Sequence, residues 1–113
     1  MAGADEDRET WETFRELVNM TPSALREWLG TADSRAAGQH QDGGESTGHA
    51  SGRAIVEILG KSKGDLSDAD YAHMRKVNGY VRRHLAQRPA GEVRDTRWRH
   101  SLMNWGHDPL KDD

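Results

Sequence analysis

"LSDADYAHMRKVNGYVRRHLAQ", residues 66–87, decides the fold. Tyr71, Met74, Val77, Val81 and Leu85 recur at spacings of 3, 3, 4 and 4, so at about 100° per residue they line one side of an α-helix. Ser67 with Asp70 three residues later reads as a capping box in which Asp replaces the usual Glu, and it sets the helix start near residue 68. Pro89 and Gly91 mark the exit, which predicts a helix over about 68–87. Gly79 lies in its interior at a cost of roughly 1 kcal/mol relative to alanine.

Shorter helices fit on either side. Trp11, Phe14, Leu17 and Val18 repeat at helical spacing behind an acidic first turn, predicting a helix over about 8–19 after a disordered acidic start, residues 1–7. Thr21 followed by Pro22 is a helix start, with Leu25, Trp28 and Leu29 as its buried stripe and Gly30 as its stop. From 31 to 52 the chain reads "TADSRAAGQHQDGGESTGHASG", with five glycines and hardly a large apolar side chain, and residues 31–50 are expected to be a mobile loop. "RAIVEILG", residues 53–60, fits a buried strand or a short central helix; Ser51 as a cap and Gly60 as a stop favour the helix. Trp98, Leu102 and Trp105 give a last short helix before a tail at 108–113. The fold class is therefore all-α: a small bundle of about five helices in one domain, 8–107, with a long flexible glycine-rich loop between the second and third.

Composition sets the outer limits. With 113 residues there is room for one domain, and no cysteine is present for disulfides or thiolate ligation. Ile, Leu, Val and Phe together number only 16, so four Trp and four Met must supply bulk to a small core. No apolar run is long enough for a membrane span or a signal segment, which predicts a soluble, cytoplasmic protein with no membrane partner, and leaves nucleoid or nuclear association open. The formal net charge of -3 hides a division. Residues 1–20 carry six acids against two arginines, whereas residues 71–105 carry eight Lys or Arg against Glu92 and Asp95. Such asymmetry fits a polyanionic partner for the basic half, or packing of the two halves against each other.

On the long helix, Lys76 and Arg83 fall opposite the apolar stripe, with Tyr80 and His73 toward one edge and Arg75 and Arg82 along the other. In the last helix Arg99 and His100 face outward and Arg97 sits at the side, while the tryptophans build the core. Such a face can neutralise phosphates, or it can be an ordinary solvated exterior. "STGHASGRAIVEIL" runs from a glycine-bearing loop into a helix start, where His49, Ser51 and Arg53 could meet an anion, although an ordinary capped helix explains the same letters. "GKS" at 60–62 lacks the earlier glycine of a phosphate loop, because position 55 is Ile. "DLSDAD" lacks the closing ligands of a calcium loop and reads as a cap. The six histidines show no HxxxH or HExxH pair, and no catalytic triad is assembled by local spacing. The expectations are no metal, no cofactor and no enzyme activity.

At "GHASGRAIVEIL", "MRKVNGYVRRHLAQRP" and "WRHSLMNWGHDPLK", and again at "FRELVNMTPSALREWL", the chain resembles a family of short, uncharacterised bacterial and fungal proteins often labelled DNA-binding, a domain of unknown function. The resemblance implies DNA as a ligand but carries no established site residues. Joined to the residue pattern, it predicts a DNA-binding or DNA-associated accessory protein that contacts the phosphates of double-stranded DNA through Arg53, Arg75, Lys76, Arg82, Arg83, Arg97 and Arg99, without strong sequence specificity. The alternative is an interaction module whose basic half docks an acidic protein partner or a second copy of the chain.

Overall fold

The computed structural model describes residues 4–37 and 47–111, and within them the chain is all-helical. The helices are α1 (Ala4–Leu17), α2 (Pro22–Leu29), α3 (Ala32–Ala37), α4 (Thr47–Leu59), α5 (Asp68–Leu85) and α6 (Arg97–Asn104), with a short 3-10 turn at Lys63–Asp65. α1 packs along α5, and α2 packs on α4. The short α6 touches α2, α3, α4 and α5 and ties the two pairs together.

Local chemistry sets most helix starts. Thr21 Oγ1 accepts from Ala24 N at 3.1 Å with Pro22 in the first turn, and Thr96 does the same for Arg99 N at 3.2 Å. The capping box of α5 is complete: Asp70 N donates to Ser67 Oγ at 3.2 Å and Ser67 N to Asp70 Oδ2 at 3.0 Å. The Lys61 ammonium, 2.8 Å from Asp70 Oδ2, holds that carboxyl below its ordinary pKa.

Phe14, Leu25, Ile55, Met74, Val77, Val81 and Leu102 are fully enclosed in a single core, with Val93 beside them. The stripe on α5 is close to the one its spacing predicts: Met74, Val77 and Val81 are buried, and Tyr71 and Leu85 lie half-buried at its ends. Asn78 is also buried there and donates to Thr10 O of α1 at 3.2 Å.

The expected boundaries change in four places. α1 starts at Ala4, so residues 4–7 are helical, and residues 1–3 lie outside the described residues. The stretch 31–50 is not a single loop between the second and third helices. α3 occupies Ala32–Ala37 and α4 already begins at Thr47, while 38–46 lie outside the described residues. Ser51 is therefore inside α4 and caps nothing; its Oγ lies 2.9 Å from His73 Nε2. Of the expected tail, 108–113, the described residues 108–111 are fastened to the loop after α1. Gly106, at φ +82°, turns it back so that Met20 N donates to Gly106 O at 3.2 Å. Beyond that turn Asp108 N donates to Asn19 Oδ1 at 2.8 Å, and Asn19 Nδ2 donates to Asp108 O at 3.0 Å.

α3 is held by distant partners. Asn104 Oδ1 accepts from Trp28 Nε1 at 2.8 Å and from Ser34 Oγ at 2.5 Å, and Asn104 Nδ2 donates to Ser34 O at 3.0 Å. Ser34 and Asn104 are almost completely buried, so this triangle of α2, α3 and α6 satisfies its own polar groups.

Candidate functional site

The outward side of α5 carries Lys76, Arg82 and Arg83, all exposed. Among the described residues these three take part in no ion pair. Tyr80, one turn beyond Lys76, lies half-buried between α5 and α6 with its ring stacked on Trp105 at 4.1 Å and 13°. His84 stacks on the other side of Tyr80 at 5.0 Å and 17°, and the Trp98 ring follows at 6.5 Å and 8°. Heptad spacing on α6 presents Trp98 and Trp105 to the Tyr80 and His84 rows of α5, and the rings form a near-parallel ladder.

A cleft of about 470 Å³ opens on this ladder, lined by Tyr80, His84, Gln87, Arg97, Trp98 and Trp105 among others. Arg97 is anchored at its edge, because its Nε donates to Ala37 O at 3.2 Å. Burial raises the Tyr80 hydroxyl pKa, while Ser101 and the positive charges of Arg83 and Arg97 pull against it. Burial lowers the His84 pKa, so its imidazole is held neutral more strongly than in water. His73, beside Ser51 and stacked at 6.4 Å on Trp105, is lowered by burial first and then by the Lys76 charge.

The other predicted cations are dispersed. Arg99 is only half exposed and forked onto Asp108, with Nε to Oδ1 and Nη2 to Oδ2 both at 3.1 Å; its Nη1 donates to Arg94 O at 3.0 Å. Its charge is spent inside the C-terminal turn, so it does not extend an outward strip. Arg75 faces α1 and pairs with Asp7 at 3.6 Å. Arg82 lies with Arg75 over a groove between α1 and α5 that also contains Glu9. Arg53 is exposed on α4, beside a separate cavity bordered by Arg26, His49 and Glu57. The anion cradle considered for His49, Ser51 and Arg53 is not assembled, since His49 Nε2 lies 2.7 Å from Leu29 O and Ser51 is engaged with His73.

Of the predicted cations, Arg97 lines the cleft beside Tyr80; Lys76, Arg82 and Arg83 are exposed on α5, with Arg82 over the α1–α5 groove beside Arg75; Arg53 borders a separate cavity on α4, and Arg99 is paired with Asp108. The cleft itself escaped the sequence reading, although the spacing of Tyr80, His84 and Gln87 opposite Trp98 and Trp105 contains its signal. Arg88 was also missed: its guanidinium lies 5.4 Å over the Trp98 ring. Among the described residues there is no cluster of three or more His, Cys, Asp or Glu side chains that could hold a metal ion, and no helix is long and apolar enough to cross a membrane.

Comparison with curated proteins and with solved structures found no match. The family described as protein of unknown function (DUF3140) matches residues 13–103, a span that runs from within α1 to the last turn of α6 and contains the whole of the Tyr80 ladder except Trp105; the chain belongs to that family.

Proposed function

We propose that the protein binds nucleic acid through the phosphate backbone, as a DNA-associated accessory protein without strong sequence specificity. The observation that carries this reading is the pair of exposed guanidinium groups on two different helices, Arg83 on α5 and Arg97 on α6, with Arg97 lining the cleft beside Tyr80 and neither in an ion pair among the described residues. Lys76 and Arg82 extend the positive surface along α5 with no ion pair among the described residues. Unpaired guanidinium and ammonium groups that displace counterions from phosphates give affinity without base readout. Arg97 loses little freedom on binding, because its Nε is already fixed by Ala37 O.

Salt titration tests it. With Lys76, Arg82, Arg83 and Arg97 as the contacts, log affinity for DNA falls linearly with log salt with a slope of about −3 to −4. Replacing Lys76 and Arg83 together by Ala leaves the fold intact, lowers affinity alike for unrelated sequences and flattens the slope by roughly 2. The substitution Arg99→Ala changes the slope little, since that guanidinium is already neutralised by Asp108. Absence of association at low salt, measured by fluorescence anisotropy, would refute the reading.

A further inference from the structure

Between α1 and α5, which pack side by side, runs a groove of about 320 Å³ whose walls carry opposite charge. Glu9 borders it from α1, and Arg75 and Arg82 border it from α5. Helical spacings of 3, 4 and 3 put Glu6 and Glu16 on the same edge of α1 as Glu9 and Thr13. Glu6, Glu9, Glu16 and Arg82 are exposed, and among the described residues none of them takes part in an ion pair. Arg75 meets only Asp7, at 3.6 Å. Two rows of opposite sign thus flank one groove without bridging it.

The strip between the rows is low and polar. Thr10 and Asn78 are buried there, and Gly79 brings no side chain. A Cβ on Gly79 would meet only the movable tip of Arg83, 3.7 Å from Nη1, so another surface can approach the α5 backbone closely at this point. Asn78 adds a separate mark. Its Nδ2 donates to Thr10 O at 3.2 Å, whereas its Oδ1 is buried and has no hydrogen-bond partner among the described residues. Buried polar atoms are nearly always paired, and this one belongs to a residue that lines the groove.

We infer that the α1–α5 groove is the contact of a two-fold homodimer, in which the acidic row of each copy lies on the basic row of the other. A second copy is the occupant because the face is complementary to itself. A two-fold axis running along the groove exchanges its two sides, and so lays Glu9 of one protomer against Arg82 of the other, twice. A purely acidic or purely basic partner would match one row and meet like charge on the other. The contact closes on itself, so assembly stops at two. The inference does not rest on the nucleic-acid reading; the two surfaces share Arg82, while Lys76 and Arg97 do not line the groove.

Sedimentation equilibrium of the full chain over a concentration series tests it. The wild-type protein is expected to pass from monomer to dimer at low salt and to dissociate as salt is added. Glu9→Lys and Arg82→Glu, both at exposed positions, are each expected to weaken self-association by roughly tenfold or more, because each sets like charges opposite one another in both halves of the contact. An equimolar mixture of the two variants is expected to restore a one-to-one dimer: one half of the contact then joins the two introduced charges, and the other half the two native ones. Gly79→Gln fills the centre of the groove and is expected to give a monomer with unchanged helix content by circular dichroism. A wild-type chain that stays monomeric throughout overturns the inference. So does a mixture that associates no better than either variant alone, a dimer indifferent to all three substitutions, or assembly beyond two copies.

Discussion

Asn104 shows how one side chain can hold three helices in register. Its amide oxygen accepts from Trp28 Nε1 and Ser34 Oγ, and its amide nitrogen donates to Ser34 O, with Ser34 and Asn104 almost completely buried and Trp28 half-buried. Truncation to Ala removes these bonds and leaves buried polar groups of α2 and α3 without partners, each costing about 1–3 kcal/mol. Asn104→Ala is therefore expected to destabilise the protein by about 2–5 kcal/mol in urea unfolding, and to loosen α3 first in hydrogen exchange. Gly52 belongs to the same junction for a different reason. A Cβ there would lie 2.5 Å from Asn104 O and 2.7 Å from Leu29 Cδ2, so α4 can approach α2 and α6 only because that atom is missing. Gly52→Ala is expected to cost about 1–3 kcal/mol by overpacking, even though alanine is the better helix former. A gain in stability would show that the junction yields more easily than its geometry implies.

At the scale of elements, Gly79 of α5 gives the opposite forecast. A Cβ there meets only the tip of Arg83, at 3.7 Å from Nη1, which is an ordinary contact with a movable group. Gly79→Ala is expected to raise stability by about 1 kcal/mol through helix propensity alone, read as a higher urea midpoint at unchanged m-value. α5 was legible in the sequence because its determinants are local: the Ser67–Asp70 box and a stripe every three or four residues. α6 was legible on its apolar side for the same reason. α3 was not, because "ADSRAA" has no stripe of its own; it is helical through Thr31, whose Oγ1 accepts from Ser34 N at 3.1 Å, and through Asn104, seventy positions away along the chain. The candidate site divides in the same way. Periodicity placed Lys76 and Arg83 on the outward side of α5, but which cations stay unpaired depends on contacts with other segments. Arg99 reads as outward on a helical wheel, yet the turn at Gly106 brings Asp108 back to it. Arg75 reads as part of the basic face and is met by Asp7 of α1. No local pattern encodes either meeting.

For the whole molecule, the division of charge along the chain becomes a packing arrangement with one acidic helix, α1, laid against the basic α5 and linked to it by the partly exposed Arg75–Asp7 pair. Such a pair contributes at most about 1 kcal/mol, so the stability of this arrangement at neutral pH comes from the core, and its pH dependence comes from buried groups. His73 and His84 are half-buried, and burial lowers both pKa values; the Lys76 charge pushes His73 further down, and Asp70 and the Ser51 bond oppose it. In the unfolded chain each imidazole titrates near its ordinary value of about 6.5. Below that value the unfolded state binds more protons than the folded one, so stability falls as the pH drops. The contribution of the neutral imidazoles is complete above about pH 6.5 and is lost progressively toward their lower folded values. Asp108 acts in a separate window. Burial disfavours its charged form, but the bonds from Arg99 and the Leu110 amide, with the Arg99 and His107 charges, outweigh that and hold its pKa below the ordinary carboxylate value. Its contribution is present above about pH 4 and disappears only as the pH falls through the folded pKa. Urea unfolding across a pH series should therefore show two declines, one beginning near about pH 6.5 and one below about pH 4. The double substitution His73→Gln and His84→Gln should flatten the first decline and spare the second. A wild-type profile with no decline between about pH 7 and pH 5 would mean that the ring ladder accommodates imidazolium as readily as imidazole, and that the cleft is far wetter than its stacked aromatic walls imply.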